Sequence, residues 1–152
     1  MSTIHQLLSP ENILLDVDVP NKERAFEAVG RLLDGRCGLA QTQVVDSLNA
    51  RERLGSTGLG HGVAIPHARI KGLNQAAAAF VRTRSPIPFD APDGKPVFAM
   101  VVLVVPHQAT EQHLKILAEV AEMFGDRHFR EQLRMCVDPA AVCKLFTDRP
   151  PT

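Results

Sequence analysis

The sequence predicts an α/β fold, a three-layer sandwich in which a small mixed β-sheet is flanked by helices. Segments typical of strands alternate with segments of helical spacing, and the helical segments cluster towards both ends of the chain. Residues 97–105 (VFAMVVLVV) form an unbroken apolar run that is typical of a central strand buried on both faces. A length of 152 residues suits one core, so residues 1–152 are assigned to a single domain.

The first part of the chain contains one predicted strand and two predicted helices. Residues Ile13–Val17 (ILLDV) have the composition of a short strand. Asn21 is suited to cap a helix whose apolar residues keep helical spacing, and Gly35 is the predicted end of that helix. Thr42 is the predicted cap of the next helix, which is also amphipathic.

The second of these helices has an apolar stripe that ends in an arginine. Val44 and Leu48 lie on the stripe, and Arg51 continues it at helical spacing. The neighbouring Glu52 and Arg53 are expected to point elsewhere. Because a charged group on an inward face needs a partner, Arg51 is a candidate site residue. The alternative is that its guanidinium extends past the rim of the core into solvent.

The second half of the chain is predicted to contain two strands and three helices. Residues 75–82 (QAAAAFVR) are predicted as a strand of small residues, although four alanines also permit a helix. Residues 84–96 contain four prolines and an Asp-Gly pair, and they are predicted to form a loop before the central strand. Three helices are predicted to begin at capping residues after that strand: Thr110, Asp126 and Asp138-Pro139.

The composition excludes several classes of protein. Seventeen Lys and Arg balance seventeen Asp and Glu, so no basic excess is present to bind nucleic acid or an anionic membrane. The first residues resemble no signal peptide, and the longest apolar run is too short to span a bilayer, so we expect no membrane insertion. Three cysteines without a CxxC motif indicate reduced thiols and a cytoplasmic protein.

The segment 54–70 (LGSTGLGHGVAIPHARI) is the most informative part of the sequence. Four glycines precede a short apolar stretch, 63–65, which leads into Pro66 and His67. Pro66 fixes its own φ and restricts Ile65 to an extended conformation. His67 is therefore expected to be held rigidly at the end of an extended segment, as a reactive imidazole would need to be. The alternative is a β-turn with an exposed histidine.

The six histidines include two pairs with the same spacing, His61 with His67 and His107 with His113. His107 follows the predicted central strand, and His113 lies in the first turn of the next helix if Thr110 is its cap. Ligands of α/β proteins tend to lie beyond strand ends, and helix N-termini favour anions. His113 is therefore a candidate N–H donor to an anionic group, although a surface residue on an amphipathic helix is the alternative.

Other chemistries receive less support from the spacing of these residues. Imidazole suits zinc, but the sequence contains no HxH, HExxH or CxxC motif, so no metal site is predicted. No GxSxG motif accompanies Ser56, which argues against a serine hydrolase. The glycine-rich segment lacks the GK[ST] of a Walker A loop.

Residues 51–68 (RERLGSTGLGHGVAIPHA) resemble the phosphorylation-site signature of phosphotransferase-system enzyme IIA domains of the fructose/mannitol class. The resemblance extends over nearly the whole chain and includes residues 103–120 (LVVPHQATEQHLKILAEV). Within that class the sequence is most similar to the nitrogen-regulatory branch. The resemblance implies an α/β sandwich on a mixed sheet, which agrees with the fold class stated above.

The resemblance also implies roles for particular residues. His67 matches the phosphoacceptor, His113 matches a second histidine beside it, and Arg51 matches an arginine that stabilises the phosphoryl group. No cofactor and no metal are implied. Ala68 stands where many members have glycine, a change between small residues that is expected to be harmless. The contributions of His61 and His107 to the site stay open.

The resemblance implies an HPr-like phosphocarrier of the nitrogen type as donor. It also implies regulation of nitrogen, carbon and potassium metabolism through partners such as a sensor kinase or a potassium transporter. The alternative is a sugar-specific enzyme IIA that passes its phosphate to a IIB domain during fructose or mannitol uptake. The face expected to dock partners is an apolar rim formed by Leu59, Val63 and Ile70.

Overall fold

A mixed sheet forms the middle layer of the computed structural model, which describes residues 3–108 and 110–148. Six strands are present within these ranges: β1 Ile13–Val17, β2 Gly58–Gly60, β3 Val63–Ala64, β4 His67–Ile70, β5 Ala77–Ile87 and β6 Val97–Pro106. Their order in the sheet is β1-β5-β6-β3-β2, and β4 also pairs with β6. Strands β3 and β4 run parallel to β6, whereas β5 runs antiparallel to it.

Helices cover both faces of this sheet. The helices are α1 Ile4–Leu7, α2 Lys22–Cys37, α3 Gln41–Leu54, α4 Glu111–Phe124, α5 Arg127–Met135 and α6 Pro139–Asp148, with a short 3-10 turn at Pro10–Asn12. One buried cluster joins Phe26 and Leu48 from α2 and α3 to Met100 of β6, and a second joins Phe124 and Phe146 from α4 and α6 to the other face. The predicted three-layer α/β arrangement is therefore confirmed.

Strand β6 occupies the central position that its sequence predicts. It pairs with β5 on one side and with β3 and β4 on the other. Val101, Leu103 and Val105 enter the cluster below α4, whereas Val102 and Val104 enter the cluster below α2 and α3. Both faces of the strand are thus covered, which explains why its sequence is uniformly apolar rather than alternating.

Two helix boundaries differ from the predictions. The helix capped by Asn21 continues past Gly35 to Cys37, because Gly38 adopts the left-handed conformation (φ 70°) that ends it. Gly35 lies inside the helix and does not have the positive φ of a terminating glycine, so it does not end the helix. The next helix begins at Gln41 with Ala40 at its N-cap, so Thr42 lies inside the helix and the predicted cap is wrong.

The predicted strand at residues 75–82 is longer than expected, and the predicted loop is shorter. Strand β5 starts at Ala77 and continues to Ile87, which pairs with Val97 after a shift in register. The first residues assigned to the loop 84–96 therefore belong to the sheet. Partners on β6 compensate for the weak strand propensity of this proline-containing segment, and the sequence pattern alone does not show such long-range pairing.

The helix starts in the second half agree with the predictions. Thr110 and Asp126 occupy the N-caps of α4 and α5, and the Asp126 side chain accepts a hydrogen bond from the backbone N–H of His128. The Asp138 carboxylate likewise accepts a bond from the backbone N–H of Ala141 in α6.

Cys37, Cys136 and Cys143 are free thiols. Within the described ranges, no helix is both long enough and apolar enough to cross a membrane.

Candidate functional site

A cleft of about 370 Å³ lies over β4, between the C-terminal half of α3 and the N-terminal half of α4. Arg51, His67 and His113 all line this cleft, which we call the histidine cleft. Arg51 belongs to α3, His67 begins β4, and His113 lies in the first turn of α4. The fold therefore brings together the three residues that sequence analysis selected from distant parts of the chain.

Pro66 separates His67 from the preceding strand. His67 was expected at the end of an extended segment, but that segment ends before Pro66 and His67 is the first residue of the next strand, β4. Pro66 has no N–H to donate, yet its carbonyl accepts a hydrogen bond from the backbone N–H of Leu103 at 2.9 Å. The pairing with β6 therefore continues across the proline, and His67 is attached to the most buried part of the sheet.

The His67 ring is oriented by a backbone carbonyl. Its Nδ1 lies 2.9 Å from the carbonyl oxygen of Ile65. A carbonyl can only accept a hydrogen bond, so this contact assigns the proton of the neutral ring to Nδ1. The lone pair is therefore at Nε2. The side chain is half-buried, and an imidazole in this state is a fixed nucleophile.

The His113 ring has the opposite tautomer. Its Nδ1 accepts a hydrogen bond from the backbone N–H of Thr110 at 3.1 Å, and the Thr110 hydroxyl lies 3.4 Å from the same atom. A nitrogen that accepts the backbone hydrogen bond has no proton, so the neutral ring is protonated at Nε2. The cleft thus contains one imidazole with a free lone pair and one with a free N–H donor.

Arg51 is half-buried and adds positive charge to the histidine cleft. Its Nη1 donates a hydrogen bond to the carbonyl of Gly55 at 2.8 Å, which fixes the guanidinium near the end of α3. In the part of the chain that the structure describes, no carboxylate forms an ion pair with Arg51. The remaining N–H groups of Arg51 are suited to an anion that enters from outside.

The neighbouring Glu52 does not point away from the apolar stripe as expected, since it is only 7% exposed. Its carboxylate accepts hydrogen bonds from the backbone N–H of Thr57 at 3.0 Å and from the Thr57 hydroxyl. The ammonium of Lys22 lies 3.3 Å from the same carboxylate. The prediction was wrong because residues 51 and 52 both follow the apolar stripe of α3 at helical spacing, and the pattern does not distinguish them.

A continuous series of hydrogen bonds connects Glu52 to His67. Thr57, which Glu52 binds, accepts at its carbonyl a bond from the backbone N–H of Ile65 at 3.1 Å. The carbonyl of Ile65 in turn accepts the Nδ1–H of His67. The buried carboxylate next to Arg51 therefore helps fix the backbone that orients the His67 ring.

Arg69 also lines the histidine cleft, and sequence analysis did not select it. It is exposed and lies two residues after His67 on β4, so the two side chains share one face of the strand. A period of two residues beginning at His67 is the signal that could have identified it. Arg69 gives the cleft a second guanidinium.

Comparison with known proteins identifies the chain. It matches the family described as "Phosphoenolpyruvate-dependent sugar phosphotransferase system, EIIA 2" over residues 6–149. The chain belongs to this family.

Relatives of this EIIA chain include regulatory and sugar-specific proteins. The nitrogen regulatory protein of Pseudomonas aeruginosa is 36% identical over 149 residues, covering 97% of each chain. The crystal structure of nitrogen regulatory protein IIA-Ntr from Neisseria meningitidis has a TM-score of 0.90 and 45% identity, covering 94% of this chain and 98% of that chain. The fructose-specific EIIA component of Haloferax volcanii is 36% identical over 140 residues, covering 88% of this chain and 85% of that protein.

These comparisons confirm the family and the branch predicted from residues 51–68. The nitrogen regulatory relatives match more of this EIIA chain than the fructose-specific component does, so the nitrogen-regulatory branch fits better than the sugar-specific alternative. Membership in the family gives the chain a phosphocarrier role in the phosphotransferase system, where IIA proteins interact with donors and acceptors of phosphate.

Two histidines left open by the sequence lie outside the histidine cleft of this EIIA domain. His61 occupies the turn between β2 and β3 with a φ of 58°, and its backbone N–H donates to the Asp93 carboxylate at 2.9 Å. It lines a different cleft. His107 is exposed just after β6 and does not line the histidine cleft. Among the described residues, no three His, Cys, Asp or Glu side chains form a metal-binding group.

The apolar rim of the histidine cleft differs from the one expected. Val63 and Ile70 are each 1% exposed, so they belong to the core and cannot dock a partner. Leu59 is exposed but does not line the histidine cleft. The exposed apolar side chains at the cleft are instead Leu54, 85% exposed at the end of α3, and Leu114, 57% exposed in α4.

Proposed function

We propose that His67 accepts a phosphoryl group at Nε2 from an HPr-like carrier of the nitrogen type. In this proposal the protein is a cytoplasmic phosphocarrier that regulates partner proteins of nitrogen, carbon and potassium metabolism. The main supporting observation is that one cleft contains the lone pair of His67 together with the N–H donor of His113 and the guanidinium of Arg51. Accepting a phosphoryl group requires this combination of a nucleophile and donors to its oxygens.

The phosphoryl transfer needs no reactant other than His67 and the phosphorylated donor. The Nε2 lone pair of His67 forms a bond to phosphorus while the bond from phosphorus to the donor imidazole breaks, and its electron pair returns to the donor nitrogen. The proton on Nδ1 stays in place, where the Ile65 carbonyl stabilises the positive charge that develops on the ring. Because the transition state is loose, the protein contributes mainly positioning and charge stabilisation.

The neighbouring donors are suited to the phosphoryl oxygens. His113 would donate its Nε2–H to one of these oxygens, since its Nδ1 is occupied by the backbone N–H of Thr110. Arg51 would contribute the N–H groups that Gly55 does not use. Arg69 would add charge at the entrance of the cleft. Negative charge spreads over the equatorial oxygens in the transition state, so these donors would stabilise it.

Removal of the His113 donor is expected to slow transfer without unfolding the protein. Loss of one preorganised donor to a developing negative charge typically lowers the rate constant by about 10²-fold, and we expect this for His113→Ala. The measurement is rapid-quench kinetics with saturating phosphorylated carrier. His128→Ala on α5 is the matched control because this exposed histidine lies outside the histidine cleft. An unchanged rate in His113→Ala would remove His113 from the proposed mechanism.

The exposed leucines beside the cleft are expected to contact the carrier. Leu54→Ser and Leu114→Ser remove apolar contact area without adding a charge to the cleft, so each should raise the KM for the carrier by about tenfold, with little change in kcat. Val137→Ser alters an exposed apolar residue that does not line the histidine cleft, and it should leave both constants unchanged. Equal effects of all three substitutions would contradict docking at this rim.

Phosphorylation would change this rim electrostatically. A phosphoryl group adds about −1.5 to −2 charge beside Leu54 and Leu114, which opposes burial of the rim against an apolar partner. A sensor kinase or a potassium transporter would then distinguish the two forms of the protein. The sugar-specific alternative makes a different prediction, rapid transfer of phosphate to a purified fructose- or mannitol-type IIB domain.

A further inference from the structure

A second cleft, of about 390 Å³, lies between α5, the turn that joins β2 to β3, and the segment before β6. Its cationic lining residues are Lys95, Arg127, Arg130 and Arg134. Glu131 supplies the single carboxylate among the described residues that line it. The chain as a whole has no net charge, so this basic cleft is a local concentration of positive charge.

The arginines of the basic cleft occupy one face of α5, because residues 127, 130 and 134 are spaced by three and four positions. Arg127 lies 3.1 Å from the Glu131 carboxylate, but both side chains are largely exposed and the pair is weak. Arg130 donates a hydrogen bond to the carbonyl of Phe124 at 2.9 Å. The backbone thus holds the Arg130 guanidinium in place, whereas Arg127 is only weakly neutralised.

Arg134 is held by an aromatic ring. Its guanidinium carbon lies 3.7 Å from the centroid of Phe98, a buried residue of β6. Gly62 packs closely against both groups. A Cβ on this glycine would lie 2.8 Å from the Phe98 ring and 3.5 Å from Nη2 of Arg134. Within residues 3–108 and 110–148, no carboxylate forms an ion pair with Arg134. The Arg134 guanidinium is therefore held against Phe98, and none of these carboxylates neutralises its charge.

The opposite wall of the basic cleft is also fixed. Asp93 accepts hydrogen bonds from the backbone N–H groups of Lys95 at 3.1 Å and His61 at 2.9 Å, and these bonds lower the pKa of the Asp93 carboxyl. Asp93 thereby connects the segment that contains Lys95 to the turn that contains His61. Both of its carboxylate oxygens accept hydrogen bonds from the backbone. The cations of this cleft come from two separate segments of the chain.

We propose that the basic cleft binds a small molecule that bears phosphate. Like charges that share a cleft repel one another until an anion neutralises them. Guanidinium groups match the geometry of phosphate oxygens better than that of a spherical ion, and a volume of about 390 Å³ falls within the range of roughly 300–1,000 Å³ of small-molecule sites. None of the residues proposed for phosphoryl transfer lines this cleft, so the two proposals stand or fall separately.

The test is a titration of the full chain with inorganic pyrophosphate and, separately, with a hexose monophosphate. Calorimetry should show saturable binding, and NMR should show shifts at the amides of Gly62, Lys95 and Arg134 that give the Kd of the basic cleft. Arg134→Gln should raise the Kd by about tenfold or more, because one charge-assisted contact is lost. Arg31→Gln is the matched control, since Arg31 is an exposed arginine on α2 away from the cleft. His67→Ala should leave the Kd unchanged.

Three outcomes would overturn the basic-cleft proposal. The first is that sulfate at equal ionic strength shifts the same amides equally. The second is that Arg31→Gln weakens binding as much as Arg134→Gln. The third is that a short single-stranded oligonucleotide binds more tightly than either phosphate compound. Stronger binding of pyrophosphate than of the hexose monophosphate supports a polyphosphate ligand, and the reverse supports a phosphate monoester. Lys95→Gln, a change in an exposed loop, provides a second variant with the same expected direction.

Discussion

Replacement of His67 by alanine is expected to abolish phosphorylation completely. After incubation with phosphoenolpyruvate, enzyme I and a nitrogen-type HPr, intact-mass analysis should show one added phosphoryl group in the wild type and none in His67→Ala. The physical reason is that His67 provides the Nε2 lone pair in the histidine cleft, whereas the Nε2 of His113 is protonated and cannot attack phosphorus.

Matched histidine variants make this experiment specific. His61→Ala and His107→Ala should both retain full labelling, because neither side chain lines the histidine cleft. Acid-labile label that persists in His67→Ala would exclude His67 as the acceptor. Faster labelling of the wild type from a sugar-type HPr would favour the sugar-specific alternative. Absence of labelling with both carriers would contradict the phosphoryl-transfer proposal as a whole.

Replacement of Glu52 by alanine is expected to lower the free energy of unfolding by about 3 kcal/mol. The substitution leaves the Thr57 N–H and hydroxyl, both at a buried residue, without their acceptor, and it removes the nearer of the two carboxylates that pair with Lys22, the other being Asp90. We place the effect near the lower end of the range for broken buried pairs because Lys22 is still partly exposed. Urea unfolding followed by circular dichroism measures the change.

Two further variants separate the buried contacts of Glu52 from simple loss of charge. Glu52→Gln keeps an acceptor for Thr57 but loses the attraction to Lys22, so its effect should be smaller than that of Glu52→Ala. Glu27→Ala removes a carboxylate that pairs with Arg24 on the surface of α2, and it should change stability by at most about 0.5 kcal/mol. Equal effects of Glu52→Ala and Glu27→Ala would show that the buried network adds nothing to stability.

The residues of the candidate site could largely be selected from the sequence, but their environment could not. Arg51, His67 and His113 followed from the motif and its resemblance, and the structure places them in one cleft. The role of Glu52 depends on Thr57, which approaches it through the chain reversal after α3, and helical periodicity contains no information about that reversal. Arg69 was missed because no strand was predicted after the proline.

The fold shows the same division between local and long-range information. The central strand, the first strand and the caps of α4 and α5 depend on local composition, and the predictions for them agree with the structure. The length of β5 and the burial of Val63 and Ile70 depend on pairing with β6, and the paired residues are ten or more positions apart along the chain. Cross-strand partners of this kind override local propensity.

The positions of the β4 side chains in the candidate site depend on how this strand packs into the core. Its side chains alternate: His67 and Arg69 extend into the histidine cleft, whereas Ala68, which also lines that cleft, and Ile70 are buried in the core beside α2 and α3. A slip of one residue against β6 would expose Ile70 and bury Arg69, at a high cost in free energy. The buried methyl group of Ala68 adds to this penalty. Selection for a stable core would therefore also preserve the position of His67, even in the absence of its proposed phosphate donor.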